Sequence, residues 1–371
     1  MKLSNFYKLF EDLNWMSEEV YLRANTIFIM VSSECNMKCS YCMNTNEFRT
    51  KLFPQTTSND FKRFMINELP PELGETRKFV QFSNGEPFMY LPKIFEILDL
   101  FKGINNYIPL MITNGTLLTE EIINELNSRD VRIAISNDGP NNRNTRGYDL
   151  FEDYPHVLKL IPKIKNFAGF GIVMNAQNYD FVSITNYFKQ HFGNSRFARY
   201  HIKRVLNINN EISDKSLIYN PDEVKKKLDE LITRIMLHYK SGTLLSCPEL
   251  FMFQSLFRMH DFAVNNPQLQ YYPLSHSYKQ CITLNLSGDV YFKHSYPIKI
   301  GTVNDSLEDI RLSYLNTYKE TTSPGKCDGC SAYYACKGGY PQEEKTDEYC
   351  EVTRLYISSI LQLLEEMEVS Y

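Results

Sequence analysis

One short loop constrains this chain more than any other stretch: Cys35–Asn36–Met37–Lys38–Cys39–Ser40–Tyr41–Cys42. It follows an apolar run at residues 26–31 that reads as a β-strand. Three cysteines at this spacing are too close together for a disulfide framework and well placed to wrap a loop around one metal cluster. Thiolates are the ligands that iron–sulfur clusters select. Three of them leave one iron of a four-iron cluster open to an outside ligand, whereas zinc or plain burial is the alternative reading of the cysteines.

Length and charge narrow the setting. The chain has 371 residues, is 43% hydrophobic and carries a formal net charge of −4. That is ample for a buried core of one large domain or a few modules, and gives no footprint for nucleic acid. No apolar stretch reaches the roughly 18 residues of a membrane span, and residues 1–13 lack a signal-peptide core. The expected location is the cytoplasm. Nine cysteines there argue for metal or catalytic use.

From residue 26 to about 207, strand-like and helix-like stretches alternate. Strands are expected at 26–31, 78–83, 108–113, 131–136, 169–175 and 197–205, and helices at 58–69, 91–101, 119–127, 151–165 and 181–192. Such alternation implies βαβ units and a parallel sheet, with ligands at the carboxyl ends of the strands. Three loops at those ends stand out: Ser83–Asn84–Gly85–Glu86–Pro87, Thr113–Asn114–Gly115 and Ser136–Asn137–Asp138–Gly139–Pro140, the last followed by Arg146. Further on, residues 222–239 form an amphipathic helix opened by Asn220 and Pro221, and residues 250–264 a second helical stretch preceded by Cys247, read as a buried structural thiol. Another cysteine cluster closes the chain: Cys327, Cys330, Cys336 and Cys350. Four thiolates suit either zinc or a fully ligated iron–sulfur cluster.

The C-x3-C-x2-C loop with Tyr41 before its last cysteine resembles the radical S-adenosylmethionine (SAM) superfamily, and the three strand-end loops fall in that family's order. The segment from Cys281 through Ser287–Gly288–Asp289 to Cys350 resembles its SPASM branch of peptide and protein maturases. The resemblance implies an α/β fold: a partial (β/α)6 TIM-like barrel with a C-terminal cysteine-rich, SPASM-like auxiliary-cluster domain. The expected organisation is an N-terminal helix and linker (1–25), the barrel (26–207), a helical bridge (208–275), the SPASM-like domain (276–352) and a C-terminal helix (353–371). Residues 1–25 are too few for a peptide-binding domain.

The resemblance also implies roles. Cys35, Cys39 and Cys42 hold the SAM-binding 4Fe–4S cluster, and Cys327, Cys330, Cys336 and Cys350 a single auxiliary 4Fe–4S cluster. Tyr41, Gly85, Glu86, Ser136 and Asp138 are the expected SAM contacts, although Asn84 stands where the family has its first glycine. The family's other auxiliary cluster needs cysteines where this chain has Lys293 and Tyr340, so that cluster is expected to be absent. Cys281, Lys293, His294 and Tyr340 would line the space it leaves. His294 follows the missing cysteine and is a candidate base, an imidazole being able to take a proton near neutral pH. Cys281 is a candidate thiol hydrogen donor, with a small buried residue as the favoured alternative.

The implied activity is reductive cleavage of SAM to a 5′-deoxyadenosyl radical that modifies a ribosomally made peptide or protein, by a carbon–carbon or thioether crosslink or by epimerisation. Implied partners are that peptide, a separate leader-binding protein, and an electron donor such as flavodoxin or ferredoxin; neither nucleic acid nor membrane is expected. Two rivals remain: a radical SAM enzyme acting on a sugar or aminocyclitol, and a non-catalytic protein binding zinc and SAM.

Overall fold

The structure, a computed structural model, describes residues 26–42, 60, 63–64, 78–82, 84–100, 102, 107–193, 200–204, 220–244, 247, 249–250, 281–293, 296–321, 329–332 and 347–367. Among them nine strands form one sheet in the order β6-β5-β4-β3-β2-β1-β7-β8-β9. The first six are β1 (Thr26–Met30), β2 (Lys78–Phe82), β3 (Tyr107–Thr113), β4 (Arg132–Ser136), β5 (Phe167–Met174) and β6 (Tyr200–Arg204), each parallel to its neighbour. Crossover segments leave all six carboxyl ends on one side. The strands are covered on both faces, which is why β1 reads as an unbroken apolar run: Ile27, Phe28, Ile29 and Met30 are all buried.

The covering helices start where the sequence supplies caps. Helix α1 is Leu91–Leu100. Helix α2 (Glu120–Ser128) is capped by the Thr119 hydroxyl, which accepts from Ile122 N, with Glu120 and Glu121 in its first turn. The short α3 (Asn142–Arg146) follows β4. Helix α4 (Phe181–Phe192) is capped by Asp180. Its Phe188 stacks on Phe170 of β5 with ring centroids 4.5 Å apart. Helix α5 (Pro221–Lys240) begins at Asn220, whose side chain accepts from Asp222 N and Glu223 N. The helix expected over 151–165 is instead three short pieces, Leu150–Asp153, His156–Leu160 and the 3₁₀ turn Ile161–Lys163. Pro155 and Pro162 lack the amide hydrogens that a continuous helix needs. The helices expected over 58–69 and 250–264 lie largely, and the N-terminal helix expected within 1–25 wholly, outside the described residues.

The C-terminal strands extend the same sheet. β7 (Cys281–Asn285) pairs in parallel with β1, Thr26 opposite Cys281 and Met30 opposite Asn285. β8 (Asp289–Lys293) and β9 (Tyr296–Thr302) continue as an antiparallel meander. Helix α6 (Leu307–Thr321) packs on it, with Phe292 and Tyr314 rings 4.6 Å apart. Helix α7 (Asp347–Glu366) carries Cys350 near its start and lies along α5, where the Tyr239 hydroxyl reaches Met367 O at 2.9 Å. No helix among the described residues is long and apolar enough to cross a membrane.

Candidate active site

The loop of Cys35, Cys39 and Cys42 emerges from the carboxyl end of β1, and the loops after β2, β3 and β4 each take hold of it. Glu86 N donates to Glu34 O at 2.8 Å, next to Cys35. Gly85 (φ +59) lies so close that a Cβ there would sit 2.1 Å from the Glu34 carbonyl oxygen. Only glycine fits, because of both the contact and the backbone angle. From the third loop, Asn114 Nδ2 donates to Asn36 Oδ1 at 2.8 Å, while Asn36 Nδ2 donates to the Thr116 hydroxyl at 2.9 Å. From the fourth, Ser40 N and the Ser40 hydroxyl both donate to Thr145 O, each at 3.0 Å.

Asp138 is the anchor on that side. Its Oδ2 accepts from the Tyr41 hydroxyl at 2.5 Å, the Thr145 hydroxyl at 2.8 Å and Arg146 Nε at 3.0 Å. Its Oδ1 accepts from Arg146 Nη2 at 3.1 Å and from Val173 N at 2.9 Å. Asp138 is 0% and Arg146 6% exposed, so the ion pair is buried, and the guanidinium also lies 5.4 Å from the Tyr41 ring centroid. Burial alone would lower the Arg146 pKa, but Asp138 beside it holds that pKa well above the usual value. Asp138, an expected SAM contact, is thus engaged by five donors of the protein itself.

Glu86, the other expected carboxylate contact, is buried and similarly engaged. Its Oε1 accepts from the Thr113 hydroxyl at 2.6 Å and Phe88 N at 3.0 Å, and its Oε2 from Asn114 N at 2.7 Å. Burial pushes its pKa up, against the pull of those donors. It ties the second loop to the third and caps the 3₁₀ turn Pro87–Tyr90. Ser136, the last residue of β4, is half-buried and is also at this end of the sheet.

The three cysteines form no disulfide and are half-buried. Burial pushes the Cys39 thiol up to about 11 and raises the Cys35 thiol as well; neighbouring thiols add to both shifts. Such thiols are protonated at neutral pH in the metal-free protein, and metal binding releases those protons. Among the described residues no three His, Cys, Asp or Glu side chains are set to hold a single metal ion. A cluster is larger than one ion, and three thiols on one braced loop, beside a glycine-only contact and a buried unpaired amide on Asn84, fit a thiolate-bound cluster with a further ligand.

Two of the remaining predicted residues, Cys281 and Lys293, lie at the other end of the sheet. Cys281 opens β7 level with Thr26, four residues before Asn285 and so about 13 Å of strand from the end that carries the cluster loop. Lys293 ends β8, at the same end of the sheet as Cys281. Cys330 and Cys350 are half-buried and form no disulfide. Cys327, Cys336, His294 and Tyr340 lie outside the described residues. The residues that brace the loop from elsewhere, Thr116 and Thr145, were not singled out in the sequence. A hydroxyl close to a strand-end turn is too common to mark them.

The family model for the radical SAM superfamily matches residues 29–182, which contain all of these bracing loops. That match spans less than half of the chain. Two similar proteins are a radical SAM cyclopropyl synthase, TigE, of Paramaledivibacter caminithermalis, 26% identical over 173 residues, and a cysteine-type anaerobic sulfatase-maturating enzyme of Clostridium perfringens, 28% identical over 147 residues. The matches cover 42% and 36% of this chain but only 36% and 40% of those relatives' lengths. The likeness in fold reaches further than residues 29–182. A structure of anSMEcpe with bound AdoMet superposes with a TM-score of 0.67 at 18% identity, covering 92% of this chain and 99% of that one. Streptococcus suis SuiB bound to its precursor peptide SuiA gives 0.58 at 14% identity, covering 91% and 76%. The partial barrel with its C-terminal extension is therefore the fold of those proteins.

Proposed function

We propose that this chain is a radical SAM enzyme of the SPASM branch that modifies a ribosomally made peptide or protein. The observation that carries the reading is the set of three free thiols on a loop braced by the strand-end loops around Glu86, Asn114 and Asp138. When bound at Cys35, Cys39 and Cys42, a 4Fe–4S cluster supplies one electron for cleaving SAM. The chain's own residues fix the loop, keep its surroundings largely buried and leave one coordination position free of protein thiolate.

The peptide substrate is supported by the architecture shared with anSMEcpe and SuiB, structures of which hold peptides. On this reading Cys327, Cys330, Cys336 and Cys350 hold one auxiliary cluster, the enzyme works in the cytoplasm, and flavodoxin or ferredoxin reduces it. A separate protein serves for leader binding, and His294 is the proton acceptor. The direct test is to purify the protein without oxygen, reduce it, and supply SAM with a peptide encoded next to its gene. The expected products are 5′-deoxyadenosine and a peptide of altered mass. No 5′-deoxyadenosine from a protein fully loaded with iron and sulfide would remove the reading.

A further inference from the structure

The loop after β2 contains a residue whose cost to the fold calls for an explanation. Asn84 has φ +97, and among the described residues it shares a positive φ with only one other non-glycine, Asp130. Glycine would adopt this angle without strain. Asn84 Nδ2 is also buried without a hydrogen-bond partner, one of four such side-chain atoms among the described residues. An unpaired buried donor is destabilising. Both penalties fall on one side chain, directly before Gly85 and Glu86, which are packed against Glu34 beside Cys35.

Glu86, two positions on, is already satisfied. Both Glu86 oxygens accept from Thr113, Asn114 and Phe88, and Glu86 N donates to Glu34 O. What remains unpaired is a donor, so the missing partner is an acceptor. SAM, which the radical SAM reading places at this end of the sheet, has one charged acceptor, its carboxylate, and bonds to charged acceptors are the stronger ones. We propose that Asn84 Nδ2 donates to the SAM carboxylate, so that in this chain the loop recognises the acid end of the cofactor through a side chain. The proposal rests on the radical SAM reading.

The test measures equilibrium binding of SAM and of decarboxylated SAM to the cluster-loaded protein and to Asn84→Gly and Asn84→Asp. In Asn84→Gly the backbone strain disappears, so iron content should be unchanged and the thermal midpoint equal or higher. SAM affinity should fall roughly tenfold to a hundredfold, the range for a bond to a charged acceptor. Affinity for decarboxylated SAM should not change. Asn84→Asp, which sets one carboxylate against another, should lose at least as much SAM affinity. Unchanged SAM affinity in Asn84→Gly, or an equal loss for both ligands, overturns the proposal. A wild-type protein with a full cluster that binds no SAM overturns the radical SAM reading itself, which the variants alone do not touch.

Discussion

The Tyr41 hydroxyl donates to Asp138 Oδ2 at 2.5 Å, joining two residues 97 positions apart. Tyr41 sits between the second and third cluster cysteines, and Asp138 closes the turn after β4 and also holds Arg146 and Val173 N. The cluster loop is therefore tied to the wall of the barrel through a carboxylate that also forms a buried ion pair. Asp138→Asn removes the countercharge of a buried guanidinium, which typically costs about 3–5 kcal/mol. Tyr41→Phe keeps the ring under Arg146 and loses only a bond to a charged acceptor, about 1.5–3 kcal/mol. Thermal midpoints and iron content should both rank wild type above Tyr41→Phe above Asp138→Asn. An Asp138→Asn protein as stable and as iron-rich as wild type would mean that the pair does not brace the loop.

Two clusters of four irons predict about eight irons per chain. Replacing Cys35, Cys39 and Cys42 together by Ala should leave about four and abolish 5′-deoxyadenosine formation. About twelve irons in the wild type would mean that the other auxiliary cluster survives with unusual ligands in place of Lys293 and Tyr340.

His294 gives a separable prediction. Loss of a general base typically lowers rate about 10²–10⁴-fold. His294→Ala should reduce modified peptide by that order, while SAM binding, iron content and uncoupled 5′-deoxyadenosine persist. Wild-type product yield from the variant would leave the proton acceptor to another residue.

How much of this was legible follows from how local each signal is. The buried parallel strands were read to within one or two residues at most ends, because burial on both faces forces continuous apolar runs such as Thr26–Met30. The strand-end loops were found because their turn residues are local chemistry. The pairing of β7 with β1 joins residues more than 250 positions apart and leaves no local trace. The bracing done by Asp138 and Glu86 was not legible for the same reason. A carboxylate at a strand end invites a ligand, and only the fold reveals that distant hydroxyls and amides fill it.

Cys247 supplies a test by pH. It is buried, its thiol lies 3.3 Å from Glu249 Oε2, and burial followed by that carboxylate pushes its pKa from 9.0 to about 12. The folded protein therefore holds this proton more tightly than the unfolded chain does. The resulting stability is fully present below about pH 9 and is lost as the pH rises toward about 12. Cys247→Ser keeps a donor for Glu249 but does not titrate in that window. The stability of wild type relative to Cys247→Ser, read from thermal midpoints, should hold steady up to about pH 9 and decline above it. A difference independent of pH would mean that the thiol is not held protonated.

Gly85 tests whether the loop contacts matter to the cluster itself. At φ +59 an alanine is strained, which costs about 1–3 kcal/mol. Its Cβ would also fall 2.1 Å from Glu34 O and 2.9 Å from the Ser33 carbonyl carbon, both backbone atoms that no side-chain rotation can clear. Either the loop after β2 or the segment leading from β1 to Cys35 must move. The Glu86 N to Glu34 O bond breaks in the first case, and the position of Cys35 shifts in the second. Neither segment belongs to a strand, so the sheet keeps its pairing. Gly85→Ala should therefore retain the far-ultraviolet circular dichroism of the wild type. It should also lose iron from the first cluster, falling toward about four per chain, with SAM binding lost in proportion. A variant with full iron and unchanged SAM affinity would show that the cluster loop does not depend on this contact.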